Sequence, residues 1–107
     1  MKKIEIINLE NTHKEVVDYM ARLAYEVQAS KDVIAELIER NKDNVYFLDS
    51  AIFKEYHRRF ENAVAASKLA QEDFADKVLP KKYKSNPNAV WTLTYNTYEL
   101  KIEHNEV

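Results

Sequence analysis

The sequence predicts an α+β fold, a long antiparallel helical hairpin with a small antiparallel sheet, in the order β-α-α-β-β. Two stretches, Thr12 to Arg40 and Ser50 to Val78, repeat apolar residues at alternating steps of three and four. No glycine interrupts them, because the chain has none. Short β-branched and aromatic segments with period-two alternation lie near both termini. The expected layout is a single domain over 1–107, with a strand at 3–9, helices at 12–41 and 50–79, and a strand or hairpin at 90–103.

Lys3 to Leu9 reads as a short strand. Thr12-His13-Lys14-Glu15 then has the form of a capping box, in which Thr12 and Glu15 would satisfy each other's orphan backbone N–H groups. Beyond it Val16, Met20, Leu23, Val27, Ser30, Ile34 and Leu37 follow a heptad spacing. The acid-first pairs Asp18 to Arg22 and Glu36 to Arg40 support the same helix. Asn41 to Asn44 supplies turn chemistry, and Val45 to Leu48 is a short apolar connector. Asp49 or Ser50 can cap the second helix. There Phe53, Tyr56, Phe60, Ala63, Ser67, Ala70 and Phe74 repeat the heptad, and Pro80 stops it near Leu79. Lys81 to Asn88 is polar and carries Pro87, so it reads as a loop.

The C-terminal segment permits a register to be deduced. If Asn96-Thr97 forms a two-residue turn, Tyr95 faces Tyr98, Leu93 faces Leu100 and Trp91 faces Ile102. All six side chains then share one face. The turn lacks the favoured Asn-Gly pair, which leaves a bulged or longer strand as the alternative. The sequence also leaves open whether the first strand pairs with either C-terminal strand or with a neighbouring molecule.

Composition narrows the function classes. With 32% charged and 46% hydrophobic residues, the chain has the balance of a globular protein. A formal net charge of −2 exerts no global pull toward nucleic acid or acidic membranes. Without cysteine there is no disulfide framework, thiolate nucleophile or zinc–sulfur site. Without glycine there is no phosphate-cradling loop, dinucleotide turn or nucleophile elbow. A turn needing positive φ is expected to use an asparagine or an aspartate. No signal-like or membrane-spanning apolar run is seen, so the expected compartment is cytoplasmic, with no cofactor.

Placing residues at 100° steps gives the first helix an apolar or small arc of roughly 240° and the second one of roughly 140°. So broad an arc needs neighbours on two sides. Each helix would be about 42 Å long, and a five-residue strand about 17 Å, so a small sheet cannot cover the hairpin. The expected function is a non-enzymatic protein–protein interaction or assembly module, self-associating through its helices. Its partner-binding residues would be Val17, Ala21, Ala24, Lys31 and Ile38, if no sheet covers them.

The alternative is a small nucleic-acid-binding or regulatory accessory protein. Lys77, Lys81, Lys82 and Lys84 form a run without acids, and Tyr83 could stack on a base. Equally, cations after a helix C-terminus offset its dipole. Lys31 is either a partly buried amine with chemical use or a lysine whose stem packs while its ammonium reaches water. His57 and Glu61 form an i,i+4 pair, too few ligands for a metal site. Ser30, Ser50, Ser67 and Ser85 have no histidine nearby in sequence, and the carboxylates follow helix-surface periodicity, so catalytic residues are not expected.

Overall fold

The computed structural model describes residues 2–84 and 86–105. Its elements are β1 (Lys2–Asn8), α1 (Lys14–Arg40), a single 3-10 turn (Phe47–Asp49), α2 (Ala51–Lys77), α3 (Lys81–Lys84), β2 (Val90–Thr94) and β3 (Glu99–Asn105). This is the expected α+β order with a helical hairpin, to which α3 adds one short turn. The chain is organised as two compact units, Met1–Ala21 with Gln71–Val107, and Arg22–Ala70, and both long helices contribute to each.

The first unit holds the sheet, in which β3 lies between β1 and β2 and pairs antiparallel with both. The deduced register is the observed one: Trp91 stands opposite Ile102 and Leu93 opposite Leu100. On the other side Ile7 meets Leu100 and Glu5 meets Ile102. Strand alternation puts these residues on one face, where Leu100 and Ile102 are fully buried. Leu9, Val17, Met20, Phe74, Leu79 and Tyr83 complete the buried set of this unit, and the Phe74 ring lies 5.2 Å from that of Trp91.

Three local expectations are corrected here. The connection between β2 and β3 is a four-residue turn, Tyr95 to Tyr98, and Tyr98 takes the positive φ of 57° that was expected of asparagine or aspartate. Tertiary contacts hold it there. Its carbonyl accepts from the Leu9 N–H at 2.8 Å, its hydroxyl donates to Asp18 at 2.8 Å, and Lys14 Nζ sits 5.9 Å from its ring. Secondly, Thr12 does not cap α1. The buried Leu9 closes a turn, its carbonyl accepting from Thr12 and His13, and the Val17 N–H returns to the His13 carbonyl at 3.1 Å. Helix α1 therefore starts two residues late. Thirdly, residues 81–84 are helical, because the Pro80 carbonyl accepts from the Tyr83 N–H at 2.9 Å and proline suits a helix start.

The opposite sheet face carries an ion triplet among Ile4, Ile6 and Val90, which are exposed. Glu103 accepts from Lys2 at 2.8 Å and from Lys101 at 2.9 Å. Those two ammonium groups, Lys2 first, pull the Glu103 carboxyl down to about 2. A carboxylate depressed in the folded state adds stability above its ordinary value of 4.5, and this is lost as pH falls toward about 2. The melting temperature of the wild type should therefore fall more steeply across that window than that of Glu103→Gln. Parallel curves would refute the coupling.

The second unit is the hairpin proper. Its inward residues are Leu23, Val27, Ser30, Ile34 and Leu37 on α1, and Phe53, Tyr56, Phe60, Ala63, Ser67 and Ala70 on α2, all buried or half-buried. These are the predicted heptad sets. Val16 departs from them: it is exposed, and the neighbouring Val17 is buried in the first unit instead. The Ser50 hydroxyl accepts from the Phe53 N–H at 3.2 Å, a conventional N-cap.

Candidate functional site

Exposed apolar residues of the hairpin unit form a run at its connecting segment and a set along one side of its helices, with Ile38 and Val64 exposed elsewhere. The connecting segment is tied at nearly every residue. The Asn41 side chain donates to the Leu37 carbonyl at 2.8 Å, and Asn44 Oδ1 accepts from the Tyr46 N–H at 3.1 Å. Backbone bonds Phe47 to Asn44, Asp49 to Tyr46 and Ser50 to Phe47 close successive turns. Phe47 is buried and meets Phe53 edge-on at 5.6 Å. This one inward ring fixes the segment, and its sequence neighbours point out: Val45 is 82% exposed, Tyr46 77% and Leu48 57%.

Such a run of exposed apolar residues is foreign to ordinary connectors, which are polar. A held backbone also loses little freedom on binding. Lys42 and Asp43 precede the run and Asp49 follows it, so the tip lacks the basic excess that draws a segment to anionic lipid.

Along the helices, Tyr25, Glu26, Ala29 and Ser30 of α1 and Arg59, Asn62, Ala63 and Ala66 of α2 line an open groove. Ser30 and Ala63, both members of the heptad sets, are among its lining residues. Residues seven apart lie in one row on a helix. The row of Arg59 and Ala66 begins at Ile52, the row of Asn62 ends at Leu69, and the row of Glu26 continues to Val33. Tyr25, Leu69 and Ile52 are 73%, 67% and 61% exposed, and Val33 is exposed too.

The predicted partner-binding residues are distributed differently. Val17 is fully buried in the first unit and is not available to a partner, since the sheet-bearing unit encloses the start of α1. Ala21 and Ala24 are half-buried, whereas Lys31 and Ile38 are exposed. Ala24, Lys31 and Ile38 stand in one heptad row, on the other side of α1 from the groove. The exposure of Lys31 removes the reading of a buried amine. The broad apolar arc of α1 is thus covered at Val17 and Met20, but not at Val33 and Ile38.

The basic segment is also reordered. Tyr83, the expected base-stacking residue, is buried and donates its hydroxyl to the Glu5 carboxylate, with its ring 5.0 Å from that of His104. Packing of α3 against β1 and β3 therefore removes the stacking surface. Lys77 pairs with Asp73 at 3.0 Å, and Lys82 lies 3.8 Å from Glu5 and 4.9 Å from the Tyr83 ring. A side-chain hydrogen bond with Tyr83, and after it the charge of Glu5, raise the Lys82 pKa. Lys81 is exposed, and the Lys84 side chain lies outside the described residues.

On α2, His57 Nδ1 is 2.6 Å from Glu61, and its ring lies 5.8 Å from that of Phe53. Arg58 and Arg59 both bond Glu55 and, in that order, lower its pKa. Among the described residues no three His, Asp or Glu side chains converge as a metal site requires, and no helix is long and apolar enough to cross a membrane.

Sequence reasoning passed over Val45, Tyr46 and Leu48. Their signal was four apolar residues in a row between an asparagine-rich turn and an aspartate. No family model, curated protein or solved structure matches this chain.

Proposed function

We propose that this chain is a non-enzymatic protein–protein interaction module that presents its helical hairpin to partners and self-associates through it. The observation that carries the reading is the tip: Val45, Tyr46 and Leu48 are displayed on a backbone whose hydrogen bonds and buried Phe47 hold them outward. Apolar side chains on a fixed loop cost little to order and gain much when desolvated, and aromatic residues are enriched among the energetic anchors of interfaces. The tip would enter an apolar depression on a partner protein, with Tyr46 as its anchor.

A photo-crosslinking amino acid placed at Tyr46 or Leu48 tests this in cells that make the protein. A discrete protein adduct is expected at both positions, and none at Lys68, an exposed position on the side of α2 that carries Glu61 and Glu72. Adducts no stronger at Tyr46 and Leu48 than at Lys68 would defeat the reading. Tyr46→Asp should abolish the adduct at Leu48 while changing stability by no more than about 0.5 kcal/mol, as befits a surface position.

A further inference from the structure

We infer that the free edge of β2 pairs with β2 of a second copy of this chain, antiparallel about Thr92, so that two three-stranded sheets join into one of six strands. The inference goes beyond the hairpin reading, because it concerns the sheet-bearing unit alone. The first ground is the make-up of the two sheet edges. β3 is central, so β1 and β2 are the edge strands. Edge strands are normally guarded by lysine, proline, a bulge or a covering segment. β1 carries Lys2, Lys3 and Glu5, and Glu5 is bound further by Tyr83 and lies 3.8 Å from Lys82. β2, Val90-Trp91-Thr92-Leu93-Thr94, has neither charge nor proline, and its register with β3 runs unbroken, without a bulge. Among the described residues, no backbone hydrogen bond reaches these five from outside the sheet.

The second ground is what flanks that edge. Trp91 and Leu93 face inward yet stay half-buried, whereas Ile102 and Leu100 opposite them on β3 are fully buried. An open depression lies beside Trp91, lined also by Ala75, Asp76 and Leu79 at the end of α2 and by Pro87 and Ala89 ahead of β2. No residue of β1 or β3 lines it.

The third ground is self-complementarity. With the twofold axis at Thr92, that residue faces its own copy, Trp91 faces Leu93 and Val90 faces Thr94. Every residue of the strand is then matched, and no like charges meet. Thr–Thr contacts are among the favourable cross-strand pairs. Leu93 of the second copy arrives on the inward face opposite Trp91, beside the depression. The twofold axis closes the assembly at two copies, and the guarded β1 edge does not extend it.

The chain has no cysteine, so single substitutions report the register directly. Residues facing each other across an antiparallel pair have Cα atoms about 4.5–5.5 Å apart, within the span of about 4.4–6.8 Å that a disulfide bridges. Under mild oxidation of the full chain, Thr92→Cys should therefore form a linked dimer at least tenfold faster than Thr94→Cys. Both positions are exposed on one face of one strand, and chance collisions would oxidise them alike. A five-residue strand pair falls in the weak class of interfaces, below about 1,200 Å² in total, so wild-type hydrogen exchange is followed from about 10 µM to about 1 mM. Amides on the free edge of β2 should slow at least threefold over that range. Thr92→Lys, which sets two ammonium groups together at the axis, should abolish the concentration dependence. Circular dichroism confirms that each variant is folded, as expected of exposed positions.

Equal oxidation of the two cysteine variants would overturn the inference, as would β2 exchange that is indifferent to concentration. A photo-crosslinker at Thr92 that captures a different protein from the cell, with no self-adduct, would overturn it too. Self-association through the hairpin, in which β2 takes no part, gives neither signal. The adducts expected at Tyr46 are untouched by these outcomes, so failure of the strand pairing is distinguishable from failure of the module reading.

Discussion

Phe74→Ala is expected to lower the free energy of unfolding of the sheet-bearing unit by about 3–5 kcal/mol, the largest effect of any substitution discussed. The phenyl ring is 1% exposed and lies 5.2 Å from Trp91. Removing it deletes the transfer energy of a whole aromatic side chain and leaves a cavity beside Trp91. Trp91 stands on β2, whose backbone is held in the sheet by its pairing with β3, so this wall of the gap cannot simply move inward. Trp91 is the sole tryptophan, so its fluorescence during urea unfolding reports this unit directly. Glu72→Ala, an exposed position two residues before Phe74, should stay within about 0.5 kcal/mol. A Phe74→Ala loss below about 1 kcal/mol would mean that the core is not centred on this ring.

Tyr98→Val should cost about 2 kcal/mol or more, although the residue is only half-buried. The left-handed conformation already costs an L-residue about 1–2 kcal/mol, and branching at Cβ worsens the clash with the backbone. Tyrosine offsets that cost by donating its hydroxyl to Asp18 and placing its ring beneath Lys14. Valine raises the backbone cost and abolishes both contacts. Tyr98→Asn loses the contacts but suits positive φ, so it should cost about 1 kcal/mol. Chemical denaturation of the two variants separates backbone from side chain, and equal losses would show that the φ angle is not what matters. Asp18, through its hydrogen bond, raises the Tyr98 hydroxyl above the ordinary tyrosine value. The sign follows: this contribution is intact below the ordinary value and fades as pH rises through the higher folded one.

The legibility of the fold follows the range of the forces involved. Helix periodicity is a local property of one segment, and it identified the inward residues of both long helices except at Val16. One turn before Met20, Val16 and Val17 are both apolar, and only the enclosing unit decides which is buried. Strand alternation likewise reached the β2–β3 register, because a hairpin joins neighbours in sequence. The start of α1 was misplaced because Leu9, itself buried, draws the Thr12 and His13 N–H groups into a turn. The charge run around Tyr83 was misread for a similar reason: its hydroxyl finds Glu5, a partner from the other end of the chain.

By itself, then, the sequence determined the α+β class, the two heptad seams, the hairpin register and the exclusion of thiol- and glycine-dependent chemistry. These depend on residue type and on spacings within one turn or one hairpin. Tertiary structure alone decided that β3 is the central strand, that Tyr98 carries the left-handed turn, and that Tyr83 is core rather than a stacking surface. It also decided which apolar residues stay in water: Tyr25, Val45, Tyr46, Leu48, Ile52 and Leu69 differ from their buried counterparts in what lies opposite them. Hydrophobicity is a property of the residue, whereas burial depends on segments that meet only after folding.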